Sequence, residues 1–309
     1  MRCLLLGGGG FLGSHLAESL VEAGHAVHVF ERPHLEQLLS PSLLSRVTWT
    51  EGDFGNAAEV DSVLEGAEVI FHLISTTIPK TSNDNPVFDA ESNLVATLRL
   101  LERIKHEPRR VIFLSSGGTV YGRPERIPIP EEHPTNPICS YGITKLAIEK
   151  YLYMYHELYG IPYSVLRLSN PYGGRQRTAA LQGAIAVFLY KALRREPIEI
   201  WGDGEVVRDY VYIDDVVDAL RRAMTSSGPQ RVLNIGSGVG TSINAVLDEI
   251  AQLLGHPVER RYLPAREFDL PINVLDIELA QQALGWRPAT SLRQGLAATL
   301  ESIRTRLLH

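Results

Sequence analysis

Through the first half of the chain, short apolar runs alternate with stretches whose apolar positions recur at helical spacing. Cys3–Leu6, Ala26–Glu31, Val47–Glu51, Val69–Leu73, Arg110–Leu114 and Tyr163–Leu168 are apolar or β-branched and bounded by turn residues, which predicts buried strands. Between them, Phe11–Ala23, Ala57–Leu64, Val87–Lys105 and Tyr141–Tyr159 read as amphipathic helices. Such alternation predicts an α/β protein with a doubly wound parallel sheet covered on both faces. Beyond Pro171 the pattern loosens. Helices are expected at Thr178–Arg195, Val216–Met224, Ile243–Leu254, Ile277–Leu284 and Leu292–Leu307, with a strand and turn over Pro197–Gly204 and a strand at Asp209–Tyr212. This predicts a first domain over 1–168 and a smaller mixed α/β domain over 169–309, with later segments free to cross back to the first. The proline-containing stretch Pro124–Pro137 reads as an ordered surface loop.

Composition narrows the classes. Of 309 residues, 44% are hydrophobic and 21% charged, which excludes a disordered or collagen-like chain. Thirty Lys and Arg against 36 Asp and Glu leave a net charge of −6, so neither nucleic acid nor an anionic membrane is an expected partner. Two cysteines, Cys3 and Cys139, do not make a disulfide framework, and the ten histidines show no metal-ligand spacing. The apolar run at Met1–Leu6 meets four glycines and is too short for a signal peptide, so a cytoplasmic protein is expected.

Gly7-x-x-Gly10-x-x-Gly13 follows the first strand and opens the first helix. Glycine serves where the chain turns tightly and its backbone must approach a pyrophosphate, and the helix N-terminus offers unpaired N–H groups to that anion. The second strand ends in Glu31, placed to accept hydrogen bonds from an adenosine ribose and to repel a 2′-phosphate, which favours NAD over NADP. Arg32 argues the other way, since a guanidinium pairs with phosphate. Tyr141 and Lys145 stand four apart at the start of a helix, on one face and separated by about 6 Å of rise. A free phenol titrates near pH ~10, and an adjacent ammonium is expected to favour the phenolate.

With these residues in view, the chain resembles the extended short-chain dehydrogenase/reductases, in particular the NAD-dependent sugar-nucleotide epimerases and dehydratases. The resemblance spans essentially the whole chain. It includes the glycine turn, Gly52-Asp53-Phe54, His72-Leu73, Asn93, Ser115–Gly122 and Tyr141-x-x-x-Lys145. It continues through Arg167-x-x-Asn170-Pro171-Tyr172-Gly173, Arg208-Asp209-Tyr210, Asn234-Ile235-Gly236 and Leu284-Gly285-Trp286-Arg287-Pro288. It implies a Rossmann-type cofactor domain. NAD would lie against Gly7, Gly10, Phe11, Leu12, Gly13, Glu31, Arg32, Asp53, Phe54, Leu73, Ser75, Asn93, Ser115, Tyr141 and Lys145.

Family members that dehydrate carry an Asp-Glu pair just before the Val-Tyr-Gly, and decarboxylating members a Glu. Here those positions are Gly118 and Thr119, neither suited to such acid–base work. The resemblance therefore implies epimerisation of a nucleoside diphosphate-sugar, a UDP-hexose or UDP-hexuronate, at C4 through a 4-keto intermediate. Tyr141 is the implied base and Lys145 its partner. The alternatives are another sugar-nucleotide oxidoreductase, a reductase or decarboxylase, and an NAD-binding regulatory protein with reduced catalysis. The family's assisting hydroxyl sits where this chain has Gly117, so Thr119 is the first candidate to replace it and Ser116 the second. Asn170, Gln182, Trp201, Arg208 and Arg266 are the implied substrate contacts. A homodimer is expected, with Leu94, Leu98 and Leu101 and the tyrosines at 151, 153, 155 and 159 available to its helices. No metal is expected.

Overall fold

A computed structural model describes residues 1–34, 38–176, 183–265 and 270–307. It divides into two compact units that interleave along the chain. The first comprises Met1–Gly122, Pro134–Leu168 and Val217–Leu233, and the second Arg123–His133, Ser169–Val216 and Asn234–His309. Neither unit is continuous in sequence. The loop at 123–133 belongs with the later segments, and part of the Ile213–Ala223 helix belongs with the earlier ones.

The first unit is built on strands β1 (Arg2–Leu6), β2 (Ala26–Glu31), β3 (Thr48–Glu51), β4 (Val69–His72), β5 (Arg110–Ser116) and β6 (Tyr163–Leu168). All their pairings are parallel, and the sheet order is β6-β5-β4-β1-β2-β3 with Val232–Ile235 at the edge beside β6. The chain therefore reverses its direction of travel between β1 and β4, and such a switch opens a crevice at the carboxyl ends of the strands. The inner strands are apolar on both faces because helices cover both. Leu4, Leu6, Ile70, Phe113 and Val165 pack with Leu100, Ile104, Ile148 and Leu152 from the helices.

Two differences from the periodicity matter. The Val87–Lys105 stretch is helical without a break from Pro86 to Ile104, but not α throughout. It is a short helix at Pro86–Asp89, a wide π-type turn at Ala90–Val95 and an α-helix at Ala96–Ile104. Single π turns recur at functional sites, where they re-aim side chains. The strand at Val232–Ile235 is the other. It is too short, and too close to polar neighbours, to stand out by period alone.

The second unit holds a four-stranded sheet of Asn170–Tyr172, Val207–Tyr212, Gly240–Ser242 and Ile272–Asn273, and a two-stranded sheet of Ile198–Trp201 with Arg260–Leu263. Its core joins Phe188, Leu189, Ile198, Ile200, Val246, Leu247, Leu296 and Leu300. Trp286 is fully buried, and its indole N–H donates to the Asp215 carbonyl at 2.9 Å. The helix expected to open at Thr178 is described over Ala184–Leu193.

Beneath β5 and β6 lies a buried ion pair. Arg167 on β6 donates to Glu149 at 2.6 Å and to the Tyr121 hydroxyl at 3.0 Å, while the Ser115 hydroxyl donates to Glu149 as well. Burial works against the Arg167 charge, but Glu149 and Tyr121 more than offset it and raise its pKa. Replacing Glu149 by Gln leaves a cation in a dry interior, which costs about 3 kcal/mol or more. Urea unfolding of Glu149→Gln against wild type should show that loss, and a change under ~1 kcal/mol would rule out a structural role for the pair.

Candidate active site

The glycine turn is shaped by its backbone. Gly7 has φ of +88°, a conformation that side chains resist, and a Cβ on Gly13 would collide with the Gly7 carbonyl and the Gly8 backbone. These glycines let the Phe11–Glu22 helix press onto the end of β1. Gly10 occupies the cap position of that helix with no side-chain cap, and no acidic residue stands in the first turn. A Cβ built on Gly10 meets only the Gly7 carbonyl, at 3.6 Å. The open N–H groups and the space before them fit a pyrophosphate. Glu31 sits beside this turn, with one carboxylate oxygen accepting from Gly9 N–H at 3.0 Å and the other from Arg32 N–H at 3.0 Å. Arg32 itself is exposed. Phe11 and Leu12, just inside the helix, are half-buried, and Phe11 packs edge-on against His15.

Asp53 is exposed, with its carboxylate accepting from Gly55 N–H at 2.8 Å. Phe54 turns inward and packs edge-on against His72, 5.0 Å between ring centroids, so its side chain belongs to the core and only its backbone is free for a ligand. His72 is buried at the end of β4 between Phe54 and Phe113, donating or accepting at Thr97 Oγ1 over 2.8 Å. Burial first, and Lys145 second, hold its pKa down to about 3, so it stays neutral. Leu73 is half-buried and Ser75 exposed in the segment that follows.

Asn93 lies in the π turn, and its side chain is spent on structure. It accepts from Thr76 N–H at 3.0 Å and donates to Thr76 Oγ1 at 2.7 Å and to Asp89 at 3.1 Å. It therefore holds the Ser75–Thr77 segment in place and has no amide left for a cofactor. Ser115 is turned the same way, its hydroxyl directed at Glu149. Its neighbour Ser116 faces the opposite side of the strand, as alternation requires.

Tyr141 and Lys145 start the Ser140–Tyr159 helix. The helix opens without a cap of its own, and another segment supplies one. Ser140 N–H donates to Asn83 Oδ1 at 2.8 Å and Tyr141 N–H to Ser82 Oγ at 3.1 Å. Gly142 lets the helix approach the loop after β5, since a Cβ there would lie 2.9 Å from both Pro137 and the Thr119 carbonyl. Lys145 is buried. Its ammonium donates to the Leu114 carbonyl at 3.0 Å and lies 4.8 Å from the Phe113 ring centre and 5.6 Å from that of Tyr141. Burial pulls its pKa to about 8, against Asp89 and Glu149, which favour the charge.

Although the Lys145 ammonium lies 5.6 Å from the Tyr141 ring centre, the net shift of the phenol is upward. Burial, with Cys139 and Asp89, pushes Tyr141 up to about 12, and the opposing influence comes from hydrogen bonding by Ser75 and Ser116. Lys145 is committed to the Leu114 carbonyl and the Phe113 face. Ser75 and Ser116 are the hydroxyls that favour the phenolate, whereas Thr119 Oγ1 is buried with no hydrogen-bond partner among the described residues. Gly118 keeps the space by Ser116 open, the nearest atom to a Cβ there being Ser116 Oγ at 3.9 Å.

Of the expected substrate contacts, Gln182 and Arg266 lie outside the described residues. Asn170 donates to the Asp209 carbonyl at 3.0 Å, so one of its two amide hydrogens is committed. Arg208 is half-buried and clasps the Val207 and Leu270 carbonyls at 2.9 and 2.7 Å. Trp201 is 41% exposed at the end of its strand, so its ring is surface and not core. Asp209, fully buried, accepts from Ser237 N–H at 2.7 Å, Ser237 Oγ at 2.8 Å and Gly238 N–H at 3.2 Å, and ties the loops around this region.

Sequence reasoning passed over Asp89, Ser82 and Thr144. The signal was there: Asp89, Asn93 and Thr97 recur at helical spacing on a face that burial requires to be apolar. Among the described residues no group of His, Cys, Asp and Glu is arranged to hold a metal, and no helix is long and apolar enough to cross a membrane.

A glycine turn at the first strand of a parallel sheet, with a Tyr-Lys pair beside the ends of β4 and β5, defines a dinucleotide-dependent protein of the short-chain oxidoreductase type. The chain belongs to the NAD dependent epimerase/dehydratase family, whose sequence profile matches residues 3–236. It is 39% identical over 313 residues to a UDP-glucose 4-epimerase of Mycolicibacterium smegmatis, covering 99% of each chain. It is 32% identical to a dTDP-4-dehydro-6-deoxyglucose reductase of Escherichia coli, covering 97% of each. Its fold superposes on the crystal structure of the Thermotoga maritima UDP-glucose 4-epimerase with UDP-glucose at a TM-score of 0.93, with 36% identity over 99% of this chain and 100% of that one.

Gly10 separates cofactor binding from folding. Its φ of −77° and ψ of −177° suit a β-branched residue, so Gly10→Val introduces no backbone strain. It places methyl groups where the anion would approach. Calorimetric titration with NAD should show affinity weakened about 10-fold or more, or ~1.4 kcal/mol, with thermal stability retained. Unchanged affinity would exclude this turn as the pyrophosphate site.

Proposed function

We propose that the protein is an NAD-dependent epimerase that inverts C4 of a UDP-hexose or UDP-hexuronate through a 4-keto intermediate. The observation that carries this reading is the set of groups around Tyr141: two hydroxyls, Ser116 and Ser75, a buried Lys145, and glycine and threonine where dehydration needs carboxylates. The relatives that epimerise UDP-sugars at C4 support the same chemistry.

In this reading the Gly7–Gly13 turn holds the cofactor's pyrophosphate, Glu31 its adenosine ribose, and Lys145 the nicotinamide ribose. NAD, when bound, accepts and returns a hydride, and its oxidised ring adds a positive charge that favours the phenolate. Tyr141 takes the proton from the sugar 4-hydroxyl and later gives it back. Ser116 donates to the phenolate before it takes that proton and keeps the sugar oxygen in reach. The 4-keto sugar is released from the proton relay, presents its other face and is reduced again. Asn170, Trp201 and Arg208 are the described candidates for the nucleoside diphosphate end, Arg208 as the diphosphate's counter-charge. The reductase relative makes net reduction of a 4-keto sugar the competing outcome.

The protein's proposed state is a homodimer through the Ser140–Tyr159 helix, where Ile143, Met154 and Leu158 share one exposed face. Leu101 is wholly in the core, and Leu94 and Leu98 pack against it from a partly buried position, so they play the smaller part. Tyr155 is likewise core. Its two free thiols accord with a cytoplasmic location.

Incubation with a panel of UDP-sugars, read by NMR, should give the C4 epimer with no net change in NADH absorbance. Stoichiometric consumption of reduced cofactor, or loss of water or carbon dioxide, would overturn the reading. Tyr141→Phe should lower turnover at least ~100-fold while NAD stays bound. Ser116→Ala should lower it on the order of 10-fold and Thr119→Val much less. The reverse ranking would return the assisting role to Thr119.

A further inference from the structure

We infer that Asp89, outside the reacting groups, is the positioning residue of this site: a buried carboxylate that ties the start of the Tyr141 helix to the segment after β4 and to the π turn. The inference rests on the catalytic reading of Tyr141 and Lys145 given above.

Asp89 is fully buried, and both its oxygens are filled. Oδ1 accepts from Thr77 Oγ1 and from Asn93 Nδ2, the latter at 3.1 Å. Oδ2 accepts from Ser140 Oγ at 2.7 Å and Thr144 Oγ1 at 2.8 Å. Four donors on two oxygens saturate an ionised carboxylate, whereas a protonated one must itself donate. The four donors come from three places: the segment after β4, the π turn, and the first turn of the helix that bears Tyr141 and Lys145. Each of these segments also touches the phenol's surroundings. Thr77 carries the carbonyl to which Ser75 donates at 2.9 Å, and Asn93 pins Thr76. Ser140 and Thr144 bracket Tyr141 in sequence. Asp89 thus ties the start of the Tyr141 helix to the segment that carries Ser75.

Its charge has a second effect. The groups facing Lys145 are His72 from β4, Tyr141 and Glu149 from its own helix, Asp89 from the short helix before the π turn, and the Phe113 face and Leu114 carbonyl from β5. His72 is neutral, and Glu149 is already paired with Arg167 at 2.6 Å. Asp89 is paired only with neutral donors, so no partner cation offsets its charge beside Lys145. It outweighs Glu149 in favouring that ammonium.

The two effects separate experimentally. In full-length protein labelled with 15N-lysine, the Lys145 Nζ titration is followed by NMR and assigned with Lys145→Arg. Asp89→Asn keeps the shape and removes the charge. It should move the Lys145 midpoint down by at least ~0.5 unit from about 8, with the alkaline limb of kcat moving in parallel. Ser140→Ala with Thr144→Val keeps the charge and removes two ties. It should leave that midpoint in place, shift the 13Cζ resonance of Tyr141, and lower kcat about 10-fold with little change in KM. An unchanged midpoint in Asp89→Asn overturns the electrostatic role. An unchanged Tyr141 resonance in the double variant overturns the positioning role, and remains decisive if Asp89→Asn does not fold. Both resonances are read without substrate, so they stand even if the wild type epimerises no UDP-sugar, a result that would count against the proposed function alone.

Discussion

A lysine ammonium taken out of water must be held by opposite charge or lose its proton, and the first unit is organised around that demand at Lys145. The helix bearing it cannot simply float at the sheet edge. It is capped by Ser82 and Asn83, tied by Asp89, pressed close at Gly142, and braced from below by the Glu149–Arg167 pair. Two carboxylates and two cations balance within this buried region, and hydroxyls fill the remaining acceptor sites. A polar interior of this kind is stable only when complete, because each missing partner strands a desolvated group. The same completeness holds Tyr141 still.

Holding the phenol still also makes it a poor base in the protein's own field. Burial and nearby negative groups push Tyr141 up to about 12 while Lys145 sits at about 8. In the proposed mechanism the fold positions Tyr141, and an oxidised nicotinamide, when bound, would supply the charge that favours its phenolate. The second unit uses a related device at Asp209, whose burial raises its carboxyl while the Ser237, Gly238 and Leu275 donors act against that. Two stretches of chain, at 237–238 and at Leu275, are thereby fixed by one side chain.

Around Gly117 a local reading and the fold part company. A reading confined to the loop offers Thr119 and Ser116 as substitutes and orders them by position. In three dimensions Ser75, from a different strand end, joins Ser116 at the phenol, while Thr119 Oγ1 is enclosed without a partner. Ser75 belongs to a segment that Asn93 holds in place, which gives the π turn a reason to exist: it aims Asn93 at Thr76 and Asp89 together.

Local chemistry was legible in the residues themselves. The parallel strands from Arg2 to Leu168, the glycine turn and the Tyr141–Lys145 spacing all depend on neighbours within a few positions, and these were readable from apolar period and glycine placement. Gly10 and Gly13 act through backbone that any chain in that conformation would share. What the residues alone could not decide involves partners far apart in sequence. That Phe54 and Ser115 turn inward, that Asn93 is spent on Thr76, and that Thr119 Oγ1 is enclosed are outcomes of packing. So is the pairing of Asp89 with Ser140 and Thr144, contacts made across 51 and 55 positions. A buried polar group announces its burial by its spacing, but its partner is chosen by the strand order and by which loops meet at the sheet's end. Sequence determined the parts and the class of chemistry, and the tertiary structure decided which side chains face one another, because desolvated charges accept only the partners that the fold delivers.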